Sequence, residues 1–149
     1  MTDGRITLLD PARAYAAAFE ALRLETLADL GRHFAEDAHF RDPFNEVTGR
    51  ARILAVFAHM FEMLDEPRFV ILDLAVSDRA AFLKWRMTFR PKGRRETWTI
   101  DGLSDVAFAP DGRVSAHIDH WDAAGQLYEK VAGLGWLMRR LKARLSAGV

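Results

Sequence analysis

The chain reads as an α+β protein, with three N-terminal helices gathered on one face of a curved, mostly antiparallel sheet and a helical segment at the C-terminus. Two observations predict this. Up to about Pro67 apolar residues recur at helical spacing, and beyond it they alternate in runs separated by Pro/Gly turns. Helices first and a meander afterwards is the order in which helices segregate to one side of an antiparallel sheet. With 149 residues, a single domain over 1–149 is expected, with 123–149 as a helical tail within it.

The elements follow in order. Asp10-Pro11 marks a helix start, with Asp as the N-cap and Pro at the first helical position. Tyr15, Ala18, Phe19 and Leu22 then form one apolar stripe. A second helix from about Thr26 buries Leu27, Leu30 and Phe34. Ala38 to Asp42 alternates as a short strand, with Ala38, Phe40 and Asp42 on one face and His39 and Arg41 on the other. Pro43 ends it, and Gly49 closes a turn-rich connection. Ile53, Phe57, Met60, Phe61 and Leu64 mark a third helix that stops before Pro67.

Four strands are expected after it. The first runs from Phe69 to Ser77. The second, Ala81 to Arg90, sets Leu83, Trp85, Met87 and Phe89 on one face and Lys84, Arg86, Thr88 and Arg90 on the other. Pro91-Lys92-Gly93 turns into a long third strand, Arg94 to Phe108, with Trp98, Ile100, Gly102, Ser104, Val106 and Phe108 on one face. After Pro110-Asp111-Gly112 the fourth covers Val114 to Asp122. Strict alternation there puts Ser115, His117, Asp119 and Trp121 on one side and Val114, Ala116, Ile118 and His120 on the other. An imidazole, a carboxylate and an indole in one row suit the wall of a pocket. Asp122 then caps the tail, where Leu134, Leu137, Met138, Leu141 and Leu145 line one side and Arg139, Arg140, Lys142 and Arg144 add four positive charges. This helix is expected to pack on its own domain or on a partner subunit. Contact with a membrane surface is the less favoured reading.

Composition narrows the classes. Lys+Arg equals Asp+Glu at 21 each, which argues against broad nucleic-acid binding. The absence of cysteine excludes disulfides and thiolate metal sites and fits a reducing compartment. No apolar run approaches the roughly 18 residues that span a bilayer, and the N-terminus lacks a signal-peptide core, so a cytoplasmic protein is expected.

Several side chains carry chemistry. Asp42 shares a face with Phe40, so its carboxylate is expected at an apolar wall without a cationic partner, where ionisation is disfavoured. The alternative is an Asx-type cap of the turn. Asp119 and His117, two residues apart on one face, can share a proton and select one imidazole tautomer near neutral pH. The alternative is a structural pair closing the sheet end. Trp85, Trp98 and Trp121, with Met87 and Phe89, suit a flat, greasy ligand, or plain core. His117, Asp119 and His120 do not share a face, and no metal or cofactor is expected. Ile118 and Val114, flanked by Leu103 and Ala107, should not face bulk water, so a homodimer through the outer sheet face is expected.

Two patterns carry a resemblance: Phe34-Ala35-Glu36-Asp37-Ala38-His39-Phe40-Arg41-Asp42-Pro43 with Gly49 beyond it, and Asp111-Gly112-Arg113-Val114 leading into His117-Ile118-Asp119-His120-Trp121-Asp122. With the element order, they make nearly the whole chain resemble the NTF2-like superfamily of cone-shaped α+β domains, and within it the SnoaL-like proteins and ketosteroid isomerases. The resemblance implies a role for four residues. Asp42 stands where the isomerases place their general base, and Tyr15 near their oxyanion tyrosine. Ser104 stands at their second oxyanion donor, where they carry an acid. Asp119 stands where SnoaL-like cyclases carry an acid/base and limonene-epoxide hydrolases a triad aspartate. The hydrolases' Arg-x-Asp is absent, because Trp85 and Met87 hold those phases and Arg86 points away.

The expected function is therefore a pocket for a small hydrophobic molecule, with isomerase- or cyclase-type proton transfer on a carbonyl-bearing ligand. Asp42 is the base, Asp119 with His117 the acid/base pair, and Tyr15 and Ser104 the donors to a developing oxyanion. Phe40, Trp85, Met87, Phe89, Trp98 and Trp121 line the pocket. A non-catalytic binding or dimeric assembly module is the alternative, and a hydrolase using a water held by Asp119 a further one.

Overall fold

The structure, a computed structural model, describes residues 7–147; the outermost residues of the expected domain lie outside that range. Its elements are α1 (Leu9–Glu20), a single 3-10 turn (Leu24–Thr26), α2 (Leu27–Gly31), β1 (Phe34–Arg41), β2 (Glu46–Thr48), α3 (Arg50–Met63), β3 (Leu64–Val76), β4 (Ala80–Pro91), β5 (Trp98–Phe108), β6 (Val114–His120), α4 (Ala123–Gln126), a second 3-10 turn (Tyr128–Lys130) and α5 (Leu134–Leu145). The strands form one sheet in the order β2-β1-β6-β5-β4-β3, with β1 and β6 parallel and every other neighbouring pair antiparallel. The architecture is the expected α+β one, with helices on one face of a mostly antiparallel sheet.

Helices α1 and α3 lie over the concave face. Tyr15 and Phe19 from α1 and Ile53 and Phe57 from α3 pack on Phe34, Phe40, Leu83, Val106 and Val114. A second cluster, Trp85, Met87, Phe89, Trp98 and Ile100, fills the other end of the sheet. Full burial of each such side chain stabilises by about 1.5–3 kcal/mol.

Local signals misplaced several boundaries. Helix α1 begins at Leu9 after Leu8, without a side-chain cap. Asp10 and Pro11 therefore sit inside the first turn, where an acid meets the positive helix end and a missing N–H costs nothing. Phe34 opens β1 instead of closing the second helix, and β2 replaces the expected turn-rich connection. Gly49, at φ 110°, joins β2 to α3 in a conformation that L side chains rarely adopt. Leu64 starts β3, and Pro67 lies within that strand. This is tolerated because β3 is an edge strand and its pairing is irregular between Asp65 and Arg68. β5 starts at Trp98, four residues later than its alternation suggested.

The consequential correction is in β6. Phe108 pairs with Val114 and Ala107 with Ala116, so Ser115 is an extra residue in a bulge. Val114 therefore faces the core together with His117, at 1% and 3% exposure, and does not belong to the outer sheet face. Of the apolar outer-face residues, Leu103 is exposed and Ile118 and Ala107 are half-buried.

Asp122 is a helix cap, accepting the Gly125 N–H at 2.8 Å, but the helix it caps is the short α4, and the leucine stripe lies on the separate α5, which starts after Gly133. The stripe of α5 does not pack on the described domain. Leu137, Leu141 and Leu145 are 50%, 48% and 78% exposed. The helix is held instead by its other side. Gly135 abuts the Glu129 carbonyl so closely that a Cβ would lie 2.3 Å from it. Arg139 donates to the same carbonyl, and Lys142 pairs with the Glu129 carboxylate at 3.2 Å. No described helix is long and apolar enough to cross a membrane.

Candidate functional site

Beyond the bulge, β6 sends His117 and Asp119 inward, and its register with β5 sets Ser104 opposite Asp119. On β4, Trp85 pairs with Gly102. Its indole lies flat over the glycine, where a Cβ would come within 2.3 Å of Trp85 Cζ2. Tyr15 reaches down from α1. These residues form a continuous hydrogen-bonded chain. Tyr15 Oη meets His117 Nδ1 at 2.7 Å, and His117 Nε2 meets Asp119 Oδ1 at 2.7 Å. Ser104 Oγ donates to the same Oδ1 at 2.5 Å, and Trp85 Nε1 donates to Ser104 Oγ at 2.9 Å.

The direction of each bond follows from what each group can do. A carboxylate only accepts, so His117 carries its proton on Nε2 and Ser104 spends its single proton on Asp119. A neutral His117 then accepts the Tyr15 hydroxyl proton at Nδ1. A doubly protonated ring would leave the fully buried Tyr15 O–H without an acceptor. Every donor in the chain is thus satisfied and points toward Asp119, as a low-dielectric interior demands. Burial first, and the Asp119 charge second, hold the Tyr15 hydroxyl well above its ordinary pKa. Tyr15 remains a proton donor. The His117 ring is clamped by Phe40, stacked at 5.1 Å, and by Phe19 at 5.6 Å.

Two cavities meet at this chain. The larger, about 490 Å³, lies between α3 and the sheet and is walled by Phe40, Phe57, Met60, Phe69, Trp85, Met87, Phe89 and Trp121, with Asp42 and Asp119 as its carboxylates. That is the size of a small-molecule site, typically about 300–1,000 Å³. The smaller, about 20 Å³, is lined by Ser104, His117 and Asp119 among apolar groups. It has room for about one water. Asp119 borders both, and its hydrogen bonds from described residues all fall on Oδ1.

The residues singled out in the sequence are distributed unevenly. Asp42 and Asp119 share the large cavity, with Phe40, Trp85, Met87, Phe89 and Trp121. Asp42 lies just past β1, and its hydrogen-bond partners are amides, as in the Asx-type alternative. Its Oδ1 accepts the N–H groups of Phe44 and Asn45, both at 2.7 Å, and the Asn45 amide reaches both its oxygens at 3.1 Å. This is the Asx-type turn. Ser104 reaches only the small cavity, and Tyr15 borders neither. Both hydroxyl protons are spent within the chain.

Trp98 is also not on the cavity wall. It packs beside Phe89 under Arg94 and Lys130, and its buried Nε1 has no hydrogen-bond partner among the described residues. Sequence reasoning missed Phe44 and Asn45. The Asp-Pro-Phe-Asn turn was the available signal, since an Asx cap turns the next residues back over the strand end. Phe44 there meets Trp121 edge-on at 5.6 Å. Among the described residues no group of three or more His, Asp or Glu is disposed to hold a metal ion.

The chain matches the model of the SnoaL-like domain family over residues 12–117, a stretch that stops short of Asp119. Nothing among curated proteins matches it. Among solved structures it is similar to a Catenulispora acidiphila protein of ketosteroid isomerase-like fold, solved in complex with trimethylamine. That pair shares 18% identity over 79% of this chain and 89% of the other, with a TM-score of 0.69. An NTF2-like protein of unknown function from Burkholderia pseudomallei is similar at 17% identity, 79% and 92% coverage and a TM-score of 0.69. A Shewanella denitrificans protein whose name places it with SnoaL-like polyketide cyclases is similar at 19%, 83% and 98%, and 0.65. At these identities the likeness is one of fold.

Proposed function

This chain belongs to the SnoaL-like domain family, and from that premise we propose that its large cavity takes a small hydrophobic molecule on which Asp119 moves a proton, as in an isomerase or a cyclase. The observation that carries the reading is the position of Asp119. Among the described residues it is the one ionisable group that borders the large cavity and also ends the Tyr15–His117 chain. Two donors on Oδ1 hold the carboxylate at a set angle, which leaves Oδ2 for a ligand C–H or O–H. His117 keeps its tautomer through Tyr15 and offsets charge on Asp119 as the proton comes and goes. Asp42, tied to its turn, is the second carboxylate of the same cavity.

Proton exchange tests this. Apolar ketones that fit the cavity, incubated in D2O, should exchange α-protons faster with the protein than with buffer. Asp119→Asn should lower that rate by at least about a hundredfold, the usual scale of general acid–base catalysis. Exchange at the buffer rate for ketones that demonstrably bind would defeat the reading.

A non-catalytic binding module is the second reading. It is supported by the absence of the expected oxyanion donors from the large cavity, since Tyr15 and Ser104 are turned to the chain. The small cavity beside Asp119, the size of one water, supports the hydrolase alternative to a lesser degree. The homodimer is retained as part of the proposal, through Leu103, Ala107 and Ile118 and without Val114. Light scattering at micromolar concentration tests it, and a monomer rejects it.

A further inference from the structure

We propose that the ligand of the large cavity carries a positive charge, as a small apolar amine or quaternary ammonium whose cationic end sits between Asp42, Phe44 and Trp121. The inference rests on the reading of this cavity as a ligand site, but not on the proton transfer.

The cavity offers acceptors and almost no donors. Its fixed charges are the carboxylates of Asp42 and Asp119, and no Lys or Arg lines it among the described residues. The one histidine on its wall, His59, is exposed and lies 3.4 Å from Glu62. Among the described side-chain donors near it, the Trp121 indole N–H and the exposed His59 ring are open to a ligand, and the others are committed elsewhere. The Asn45 amide is bonded to Asp42, the Trp85 indole N–H to Ser104, and the Ser104 and Tyr15 hydroxyls to the chain behind the wall. A ligand that only accepts finds little to bond with. A cation finds two negative groups in an apolar wall, where charges act more strongly than in water.

The geometry favours the Asp42 end for the charge. Its oxygens are held by the Phe44 and Asn45 amides, so the anion is in place before a ligand arrives. Phe44, 53% exposed, stands beside it in edge contact with Trp121, and Tyr128 lies 6.1 Å beyond. Aromatic faces next to a fixed carboxylate are the surroundings in which an ammonium gains cation–π attraction. Asp119, deeper and already accepting two donors, is left to face the apolar body of the ligand.

The test uses two molecules of one shape that differ in charge, phenyltrimethylammonium and tert-butylbenzene. Each is titrated into the full chain while the Trp121 indole N–H resonance is followed. The cation should bind more tightly by about tenfold, the scale of a cation–π contact near an anion. Asp42→Asn should erase most of that difference by weakening the cation far more than tert-butylbenzene, and Phe44→Ala, which removes wall from both, should likewise weaken the cation more than the hydrocarbon and narrow the gap. Equal or tighter binding of the hydrocarbon overturns the charged-ligand inference and leaves the pocket reading standing. A cation preference that survives both variants overturns the proposed seat. Binding of neither molecule up to its solubility overturns the inference together with the pocket reading.

Discussion

Ser104 and Asp119 face each other across β5 and β6, and the serine hydroxyl donates to Asp119 Oδ1 at 2.5 Å while accepting the Trp85 indole N–H. Ser104→Ala therefore strips one donor from a partly buried carboxylate and leaves an indole N–H unpaired. A loss of about 1–3 kcal/mol in urea unfolding is expected. Ser104→Thr, which keeps the hydroxyl, should lose less. Equal losses for the two would mean that packing, and not the hydrogen bond, sets the cost.

Tyr15 should leave a mark on alkaline stability. Its hydroxyl in the folded chain ionises well above its ordinary value of 10.0. From about pH 10 upward the unfolded chain therefore holds fewer protons than the folded one, and stability falls as pH rises; below that the contribution is complete. Tyr15→Phe removes this dependence. The stability difference between wild type and Tyr15→Phe should be constant from pH 7 to 9 and shrink above 10. A difference independent of pH to 11 contradicts the burial of a neutral hydroxyl here.

Asp42→Asn should destabilise. The new amide can still accept the two turn N–H groups through its oxygen, but its nitrogen then meets the Asn45 amide, donor against donor. A cost of about 1–2 kcal/mol in thermal or urea unfolding at neutral pH is expected. A variant as stable as wild type would return Asp42 to the general-base role that its place before Pro43 suggested.

Removing α5 should cost little. The helix rests on the Tyr128–Lys130 turn through Gly135, Arg139 and Lys142, and its leucine stripe faces solvent. A chain ending at Ala132 should fold with an unfolding free energy within about 1 kcal/mol of wild type, the range of surface changes and exposed ion pairs. A larger loss would show that the stripe is covered in solution, which a change in oligomeric state on truncation would reveal.

Strand phase on β4 was legible in the sequence. Leu83, Trp85, Met87 and Phe89 all face inward as their alternation demands, because side-chain direction within an unbroken strand is a local property. The pairing of His117 with Asp119 was legible for the same reason. Three features were not. Ser115 becomes a bulge only because β5 offers one residue fewer across from it, so Val114 turns inward. Pro67 fits a strand only because nothing pairs on its outer side. Tyr15 and His117, 102 residues apart, become partners only when α1 is laid over the sheet. The sequence by itself determined which side chains are apolar, which titrate and how each strand alternates. Only the tertiary structure decided which donors are spent on Asp119, which carboxylates share a cavity and which faces stay bare, because each of these depends on what a distant segment brings opposite.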